Sequence, residues 1–246
     1  MTFKSRFIYT IGLALLLTGC SSLPKTPDGF EEKIVETEKM NFLTWHKKDI
    51  SSQKTLRFYI EGNGNPTPPK AMALSLAEKD KTKNIVVLTR PCQYLKNEVC
   101  KNENIWGKER YNPDILNEMY ELSLFYVKKY RPQHVEFVAY SDAAPIAFSL
   151  AQRYGRAKKV VTIGGVLDIS SYERQNNLEQ IKHKDFINKS FVAQTPQIHY
   201  VGSNDKTVTK SMTERYISNL VNPKKVIIKE VKGMTHDGWD SVKLDY

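Results

Sequence analysis

The sequence predicts one α/β domain, with a mainly parallel central sheet and helices on both of its faces. Short runs rich in β-branched and aromatic residues alternate along the chain with amphipathic stretches, as in strands joined by crossover helices. Several of these runs are apolar on both faces, which is what a parallel strand covered on both sides requires. The 246 residues contain no internal repeat and no domain-sized linker, so all the strands are needed for one sheet.

The first residues have the pattern of an export signal. Lys4 and Arg6 form a short basic region, and residues 7–17 form an apolar run of eleven. A membrane-spanning helix needs about 20 apolar residues, so this run is too short to be one. We therefore predict that residues 1–19 are a signal peptide.

The sequence Leu17-Thr18-Gly19-Cys20 ends this signal and resembles the lipobox of bacterial lipoproteins. The resemblance implies that the sulfur of Cys20 carries a diacylglycerol. With further acyl chains such as palmitate, it would hold the protein on a membrane of the cell envelope without a spanning helix. Ser21 stands where inner-membrane retention signals usually have Asp, which favours the outer membrane, facing the periplasm. The alternative is an ordinary signal peptide followed by an incidental cysteine.

The chain is basic, but its charge is scattered along the sequence. Its 37 Lys and Arg residues face 27 Asp and Glu residues, and removal of residues 1–19 takes away two of the basic ones. The positive charges occur singly and in pairs, such as Lys128-Lys129, and form no long run. This pattern does not indicate a nucleic-acid partner and is typical of a solvated surface, although a basic face could also favour anionic lipid headgroups.

Cys92 and Cys100 are the two cysteines that remain besides Cys20. An even pair in an exported chain, separated by a stretch that a turn can close, predicts a disulfide, and the alternative is two free buried thiols. The sequence has no paired histidines and no His–Glu spacing, so it predicts no metal site. No cofactor is expected, because no glycine-rich phosphate loop is present.

The expected elements follow one another to the C-terminus. Residues 20–32 mix Ser, Pro, Lys and Gly and are expected to be a tether, and residues 33–246 are expected to be the α/β domain. The predicted strands are 41–45, 56–60, 85–88, 135–140, 160–163, 198–201 and 226–231. The predicted helices are 70–79, 113–129, 145–154 and 210–220; in the second, apolar residues recur at helical spacing from Ile115 to Phe125. Residues 169–195, rich in Asn, Gln, Lys and Ser, are expected to form a short cap between two strands.

A strand, a serine and a helix follow one another without interruption in the middle of the chain. Strand 135–140 leads directly into Ser141, and a helix begins at Pro145. A serine on such a tight turn projects its oxygen above the sheet, and the turn admits only small residues two positions before and after it. Ala139 and Ala143 stand at these positions, where the usual pattern has glycines. Ser141 is therefore the candidate nucleophile, and the alternative is a serine that only caps the following helix.

Candidate partners for this serine follow two later strands, in the order acid and then base. Asp205 lies in a Gly-x-x-Asp-x-x-Val loop after strand 198–201. His236 lies in the loop after strand 226–231, and about ten residues remain beyond it, enough for one closing helix. His236 would accept the serine proton, and Asp205 would orient and stabilise the imidazolium. Asp168, which follows an earlier strand, is the alternative acid.

A glycine-containing segment after strand 56–60 is the candidate oxyanion site. Glu61-Gly62-Asn63-Gly64 resembles the His-Gly-x-Gly motif of lipases and esterases, with Glu61 in place of His. The resemblance implies that the backbone N–H of Asn63, with that of Asp142, stabilises a negatively charged oxygen in the transition state. Gly62 or Gly64 could donate in place of Asn63, and the alternative is a glycine turn that only reverses the chain.

Taken together, these motifs resemble the α/β-hydrolase superfamily from about residue 41 to the C-terminus. The resemblance implies an α/β-hydrolase fold and a serine esterase- or lipase-like enzyme, with Ser141, Asp205 and His236 as its triad. We expect it to cleave a carboxylic ester or related acyl bond of a small molecule or lipid, through an acyl-serine intermediate. The short cap favours an esterase over a lipase with a lid. A non-catalytic binding lipoprotein and an envelope thioesterase or peptidase are the alternatives.

Overall fold

The chain forms an eight-stranded sheet in a computed structural model that describes residues 23–51, 54–62, 66–68, 70–155, 157–182, 185–223 and 225–245. The strands are β1 (Phe30–Glu36), β2 (Asn41–Lys47), β3 (Thr55–Ile60), β4 (Ile85–Leu88), β5 (His134–Tyr140), β6 (Ala157–Ile163), β7 (Gln197–Gly202) and β8 (Val226–Val231). The helices are α1 (Met72–Lys79), α2 (Pro113–Tyr130), α3 (Ala144–Tyr154), α4 (Ile169–Gln175), α5 (Lys189–Gln194) and α6 (Lys210–Ser218).

The order of strands across the sheet is β1-β2-β4-β3-β5-β6-β7-β8. Strand β2 is antiparallel to both of its neighbours, and β3 to β8 are parallel to one another. The six parallel strands therefore end at one edge of the sheet, the carboxyl edge, and begin at the opposite one, the amino edge. Ligand-binding sites of open α/β sheets lie beyond the carboxyl ends of their strands.

Helices cover both faces of the sheet, as the sequence predicts. Neighbouring residues of a strand point to opposite faces, so that Phe58 belongs to one buried cluster and Tyr59 to the other. Helices α2 and α3 contribute side chains to the first cluster. Helix α1 and the 3₁₀ turn Trp239–Ser241 contribute to the second cluster, where Trp239 is fully buried.

Local sequence signals set the ends of the longer helices. The side chain of Asn112 accepts a hydrogen bond from the backbone N–H of Ile115, and Pro113 occupies the first turn of α2, where its missing N–H costs nothing. Helix α3 ends at Gly155, whose φ of 61° lies in the left-handed region that glycine adopts without strain. Both signals agree with the helix starts and ends that the sequence predicts.

Strand β1 differs from the expectation of a tether over residues 20–32, because it begins at Phe30. Its pattern was too polar to predict a strand, since only Phe30 and Val35 of its seven residues are buried. It forms the outer edge of the sheet and pairs along its whole length with β2. The chain is already attached to the domain at Thr26, whose hydroxyl oxygen accepts a hydrogen bond from Nε1 of Trp45 (3.2 Å).

The closing helix expected after His236 is absent from the described residues. The chain instead makes the single 3₁₀ turn Trp239–Ser241, and residues 242–245 have no regular structure. Burial of the Trp239 indole fixes this segment against the sheet. The cap expected over residues 169–195 contains the short helices α4 and α5.

A search of the described helices for one long and apolar enough to cross a bilayer finds none.

Candidate active site

Ser141 lies at the carboxyl edge, on the turn between β5 and α3. Its φ of 53° lies in the left-handed region, which is rare for residues other than glycine and costs about 1–3 kcal/mol of strain. The turn is held in place from below, because the backbone N–H of Val166 donates to the carbonyl oxygen of Ser141 (3.0 Å). This contact helps to maintain the strained turn, which places the serine hydroxyl where strand and helix meet.

The turn tolerates two alanines because the segments that pack closely against it have glycines at the points of contact. Ala139 and Ala143 are fully buried. A Cβ on Gly62 would overlap the carbonyl oxygen of Tyr140, and a Cβ on Gly165 would lie 2.5 Å from Cβ of Thr162. The neighbouring loops thus supply the glycines that let the backbones pack together.

His236 reaches Ser141 from the loop after β8. Its Nε2 lies 2.8 Å from Oγ of Ser141, within hydrogen-bond distance. The imidazole lies against the ring of Tyr140, with 5.5 Å between the ring centres, and the Tyr140 hydroxyl donates to the carbonyl oxygen of His236 (3.0 Å). Tyr140 therefore fixes both the ring and the backbone of the histidine.

Asp205 completes the row on the far side of the imidazole. Its Oδ2 lies 2.8 Å from Nδ1 of His236, and its Oδ1 accepts hydrogen bonds from the backbone N–H groups of Thr207 (2.9 Å) and Val208 (2.8 Å). The side chain is fully buried. With Nδ1 donating to this carboxylate, the lone pair of Nε2 faces the serine hydroxyl and can accept its proton.

Asp168, the alternative acid, is engaged elsewhere. It caps helix α4, with Oδ1 accepting from the backbone N–H of Ser171 (3.0 Å) and Oδ2 from the Ser171 hydroxyl (2.6 Å). The carboxylate that contacts His236 is that of Asp205.

Gly164 is a residue of this site that the sequence reasoning did not single out. Its φ is 52°, and a Cβ there would lie 3.3 Å from both Oδ2 of Asp205 and Nδ1 of His236. A side chain at this position would crowd the acid and the imidazole. The signal in the sequence was the pair Gly164-Gly165 directly after a strand, which marks a close approach of backbones.

The segment expected to form the oxyanion site is described only in part. Asn63 and Gly64 lie outside the described residues. A Cβ on Gly62 would lie 3.0 Å from Cβ of Ser141, so this segment passes directly beside the serine. The backbone N–H of Gly62 donates to Oε1 of Glu61 (3.2 Å), and Asp142 follows Ser141 in the 3₁₀ turn that precedes α3.

Glu61 ties this segment to helix α1. The side chain is 2% exposed, and its Oε2 accepts a hydrogen bond from the backbone N–H of Ala73 (2.9 Å) in the first turn of α1. Burial raises the pKa of Glu61 to about 8, although the backbone donors of Ala73 and Gly62 favour the charged form. Through these hydrogen bonds Glu61 connects the start of the loop to α1.

The side chain of Asp142 is one half of a buried ion pair. Its Oδ2 lies 2.5 Å from Nη1 of Arg90, and the side chains of the two residues are 9% and 1% exposed. The Arg90 guanidinium also donates to the carbonyl oxygen of Arg110 (3.2 Å) and lies over the rings of Trp106 and Tyr111. The pairing of Arg90 with a residue 52 positions away was not predictable from spacing.

A cavity of about 190 Å³ opens beside the serine hydroxyl. Besides Ser141 and His236, it is lined by Tyr140, Asp142, Tyr172 and Thr207. Its walls are of mixed polar and apolar character, and its volume is below the range of about 300–1,000 Å³ typical of sites for drug-sized ligands.

The two described cysteines, Cys92 and Cys100, lie in the segment that follows β4. Cys92 and Cys100 form the expected disulfide, with 5.7 Å between their Cα atoms. Cys20 lies outside the described residues. Within the described part of the chain, no group of three or more His, Cys, Asp or Glu side chains is placed to hold a metal ion.

No protein-family model matches the sequence, and no curated protein matches it. The structure is similar to many solved ones. A hormone-sensitive lipase from a metagenome library has a TM-score of 0.60 at 10% identity, over 86% of this chain and 77% of that one. A protein from Thermoplasma acidophilum, described as a predicted CIB-like hydrolase, has a TM-score of 0.55 at 12% identity, over 86% and 92%. The acylaminoacyl peptidase of Pyrococcus horikoshii has a TM-score of 0.60 at 12% identity, over 85% of this chain and 38% of that one.

At these identities the similarity concerns the fold, and it agrees with the sheet order and crossover helices described above. The chain therefore has the α/β-hydrolase fold.

Proposed function

We propose that the protein is a serine hydrolase that cleaves a carboxylic ester or related acyl bond, with Ser141 as nucleophile. One observation carries the proposal: Ser141, His236 and Asp205 form a hydrogen-bonded row at the carboxyl edge, with 2.8 Å at each step. The three residues come from separate loops, so their meeting is a property of the fold. Hydroxyl, imidazole and carboxylate in this order are the arrangement that activates a serine.

The proposed reaction has two halves. His236 Nε2 takes the proton of Ser141 as its Oγ attacks the carbonyl carbon, and Asp205 stabilises the imidazolium that forms. The imidazolium then gives this proton to the leaving group, which departs as the acyl-serine forms. In the second half His236 activates a water, which releases the acid and restores Ser141. The backbone N–H groups of Asp142 and Asn63 would bind the oxygen that becomes negative in both halves.

The size of the site supports a proposal for the substrate class. The cavity beside Ser141 is small, which favours a short acyl group over a long lipid chain. Solved structures of similar fold include ones named esterases, lipases and an acylaminoacyl peptidase, so the bond could be an ester or another acyl bond. We propose a short-chain ester of a small molecule or lipid as the substrate.

A fluorophosphonate probe tests the nucleophile. The probe reacts with a serine only when a neighbouring base activates it, so we expect labelling of the wild-type chain and none of Ser141→Ala. The matched control is Ser211→Ala, an exposed serine of α6, which should label as the wild type does. A folded wild-type chain that never labels would show that the fold serves a non-catalytic binding role.

A second set of variants tests the base and the acid. His236→Ala and Asp205→Asn should each lower kcat for a short p-nitrophenyl ester by about 10⁴-fold, because the base or its orientation is lost. Asp168→Asn is the control, since Asp168 caps α4 and does not touch His236. Loss of activity in Asp168→Asn alone would assign the acid to that residue.

We also propose that acyl chains on Cys20 anchor the protein in the cell envelope, at the outer membrane facing the periplasm. The support is the sequence Leu17-Thr18-Gly19-Cys20 after a short apolar run. The intact mass of membrane-extracted protein should exceed that of the chain from Cys20 by the mass of the lipid. A Cys20→Ser variant that stays equally membrane-bound would contradict this anchor.

A further inference from the structure

The edge of the sheet opposite Ser141 is strongly basic. At this amino edge each crossover helix ends before the chain enters the next parallel strand. In the turns 48–54 and 80–84, which precede β3 and β4, the exposed cations are Lys48, Lys54, Lys81 and Lys83. Asp49 is the exposed carboxylate of these two turns, and Asp80 is paired with the buried Arg57.

The other segments at the amino edge are also basic. They lead into β5, β6 and β8: residues 128–133 include the end of α2, residues 155–158 include the start of β6, and residues 219–225 precede β8. No Asp or Glu occurs in these three segments. Their exposed cations are Lys128, Lys129, Arg131, Lys158 and Lys225. We call these five residues, together with Lys48, Lys54, Lys81 and Lys83, the basic edge. Asp28 and Glu78, which lie next to it, are too few to cancel its charge.

The charges of the basic edge are not paired. None of its nine side chains forms an ion pair with a carboxylate in the part of the chain that the structure describes. Nearer the carboxyl edge, exposed carboxylates are interspersed with the exposed lysines. Some of these lysines are paired, as in Lys39 with Asp114 (3.0 Å) and Lys210 with Glu230 (2.6 Å), and Lys96 and Lys182, which are unpaired among the described residues, lie close in sequence to the exposed Glu98 and Glu179. The positive charge is therefore concentrated by the fold at one end of the molecule, although it is scattered in the sequence.

Apolar side chains are exposed at the same edge. Val221, in the turn before β8, is 72% exposed, and Ile227, the second residue of β8, is 51% exposed. Apolar side chains next to Lys225 form the combination with which peripheral proteins enter the interface of a bilayer.

The N-terminal segment joins the domain at this edge. The start of β1 pairs with the end of β2, and the backbone N–H of Lys48 donates to the carbonyl oxygen of Gly29 (3.0 Å). The apolar run 7–17 and Cys20 precede this point, and the three residues from Cys20 to Leu23 can span at most about 11 Å. A membrane contact made by that part of the chain would keep the domain close to the bilayer.

We propose that the basic edge docks onto a membrane surface that is rich in anionic phospholipid headgroups. Unpaired lysines and arginines near such a surface are attracted to it, and the attraction adds up over the side chains that approach it together. Docked in this way, the domain directs Ser141 away from the lipid, because β5 separates the two edges by about 20 Å. Substrate then reaches the serine from the aqueous phase. The docking does not depend on the proposed hydrolase activity or on acylation of Cys20.

The test compares the binding of the full chain to two kinds of vesicle. The chain carries Cys20→Ser, so that no acyl chain contributes, and the vesicles are phosphatidylcholine alone or equimolar phosphatidylcholine and phosphatidylglycerol. The apolar run 7–17 contributes to both partition constants, so their ratio isolates the preference for anionic lipid. We expect the fourfold variant Lys81→Gln, Lys83→Gln, Lys128→Gln and Lys158→Gln to lower this ratio by roughly 100-fold.

The matched control removes the same charge from the other end of the molecule. Lys96→Gln, Lys101→Gln, Lys182→Gln and Lys232→Gln are also exposed, and at physiological salt charges farther than about 8 Å from the lipid are largely screened. The control should keep most of the preference, and circular dichroism should show both variants folded. Equal loss in the two variants, or no preference of the parent chain for phosphatidylglycerol, would overturn the proposal. Binding of an RNA duplex in place of anionic vesicles would also overturn it.

Discussion

Asp142 has two roles at the scale of single residues. Its backbone follows the proposed nucleophile, and its carboxylate pairs with Arg90 in the interior. Burial disfavours the charged form of Arg90, but the charge and hydrogen bond of Asp142, together with Tyr111 and Tyr172, outweigh it and raise the pKa of the guanidinium. The ion pair thus connects the end of β4 to the first turn after Ser141.

We predict that Arg90→Met lowers the free energy of unfolding by about 3–5 kcal/mol, because it leaves the Asp142 carboxylate buried without a partner. Urea unfolding measures this change. The double variant Arg90→Met and Asp142→Leu should recover most of the loss, since no unpaired charge remains inside. A change below about 0.5 kcal/mol in the single variant would mean that water replaces the guanidinium.

Glu61 predicts a dependence of stability on pH. The carboxyl has a pKa of about 8 in the folded protein, mainly because of burial, and an ordinary value of 4.5. The folded state therefore binds the extra proton between these values, so the contribution of Glu61 is present below about pH 4.5 and is lost as the pH rises to about 8. Above that pH both states are ionised, and the stability no longer changes with the ionisation of Glu61.

We predict that Glu61→Gln removes this dependence. Relative to the variant, the wild type should lose on the order of 4 kcal/mol of unfolding free energy between about pH 5 and pH 9. Urea unfolding of both chains at the two pH values gives the difference, in which the other titrating groups cancel. A difference that is the same at both pH values would show that the Glu61 carboxyl ionises as it would in water.

The disulfide loop acts at the scale of structural elements. The bond between Cys92 and Cys100 closes a loop with a sequence separation of 8. Inside the loop, Nε2 of Gln93 donates to the carbonyl oxygen of Gly62 (3.0 Å), and the backbone N–H of Tyr94 donates to that of Pro66 (2.7 Å). The loop therefore supports the segment that passes beside Ser141.

We predict that the double variant Cys92→Ala and Cys100→Ala is less stable than the oxidised wild type by about 2–3 kcal/mol, because its unfolded chain is no longer restricted by the closed loop. Unfolding in urea with and without dithiothreitol measures this. Reductant should bring the wild type to the stability of the variant and leave the variant unchanged. A wild type insensitive to reductant at its unfolding midpoint would contradict a stabilising bond.

The elements also show what the sequence could predict. Buried strands such as β4 and β5 are largely apolar on both faces, so the sequence identifies them, and Pro113 and Gly155 mark the start of α2 and the end of α3. Strand β1 was not predicted, because an edge strand with only two buried side chains has the composition of a polar linker. The order of strand ends predicted that Ser141, Asp205 and His236 belong together. The pairing of Arg90 with Asp142 was not predictable, because it depends on two distant chain segments meeting inside the fold.

At the scale of the whole molecule, one sheet separates two buried clusters of side chains. Val160 and Val161 are neighbours in β6, both are fully buried, and they point into opposite clusters. Trp45 and Trp239 belong to the cluster that contains Val161, and Trp106 packs against the other cluster. In a Trp106→Phe background, tryptophan fluorescence therefore reports on the cluster of Val161 alone, whereas far-UV circular dichroism reports on helices of both faces. These residues can therefore show whether the two clusters unfold together.

We predict that the two clusters unfold together. The central strands β3 to β6 contribute side chains to both clusters, so neither cluster can be lost while the sheet remains. Val160→Ala and Val161→Ala should each lower the unfolding free energy by about 2 kcal/mol, from lost burial and the space left behind. In both variants, made in the Trp106→Phe background, the urea midpoints from tryptophan fluorescence and from far-UV circular dichroism should shift by the same amount. If Val160→Ala moved the circular dichroism midpoint and left that of fluorescence unchanged, the two faces would be separate folding units. Coincident shifts from both sides of the sheet would instead mean that the row of Ser141, His236 and Asp205 survives only as long as the whole domain does.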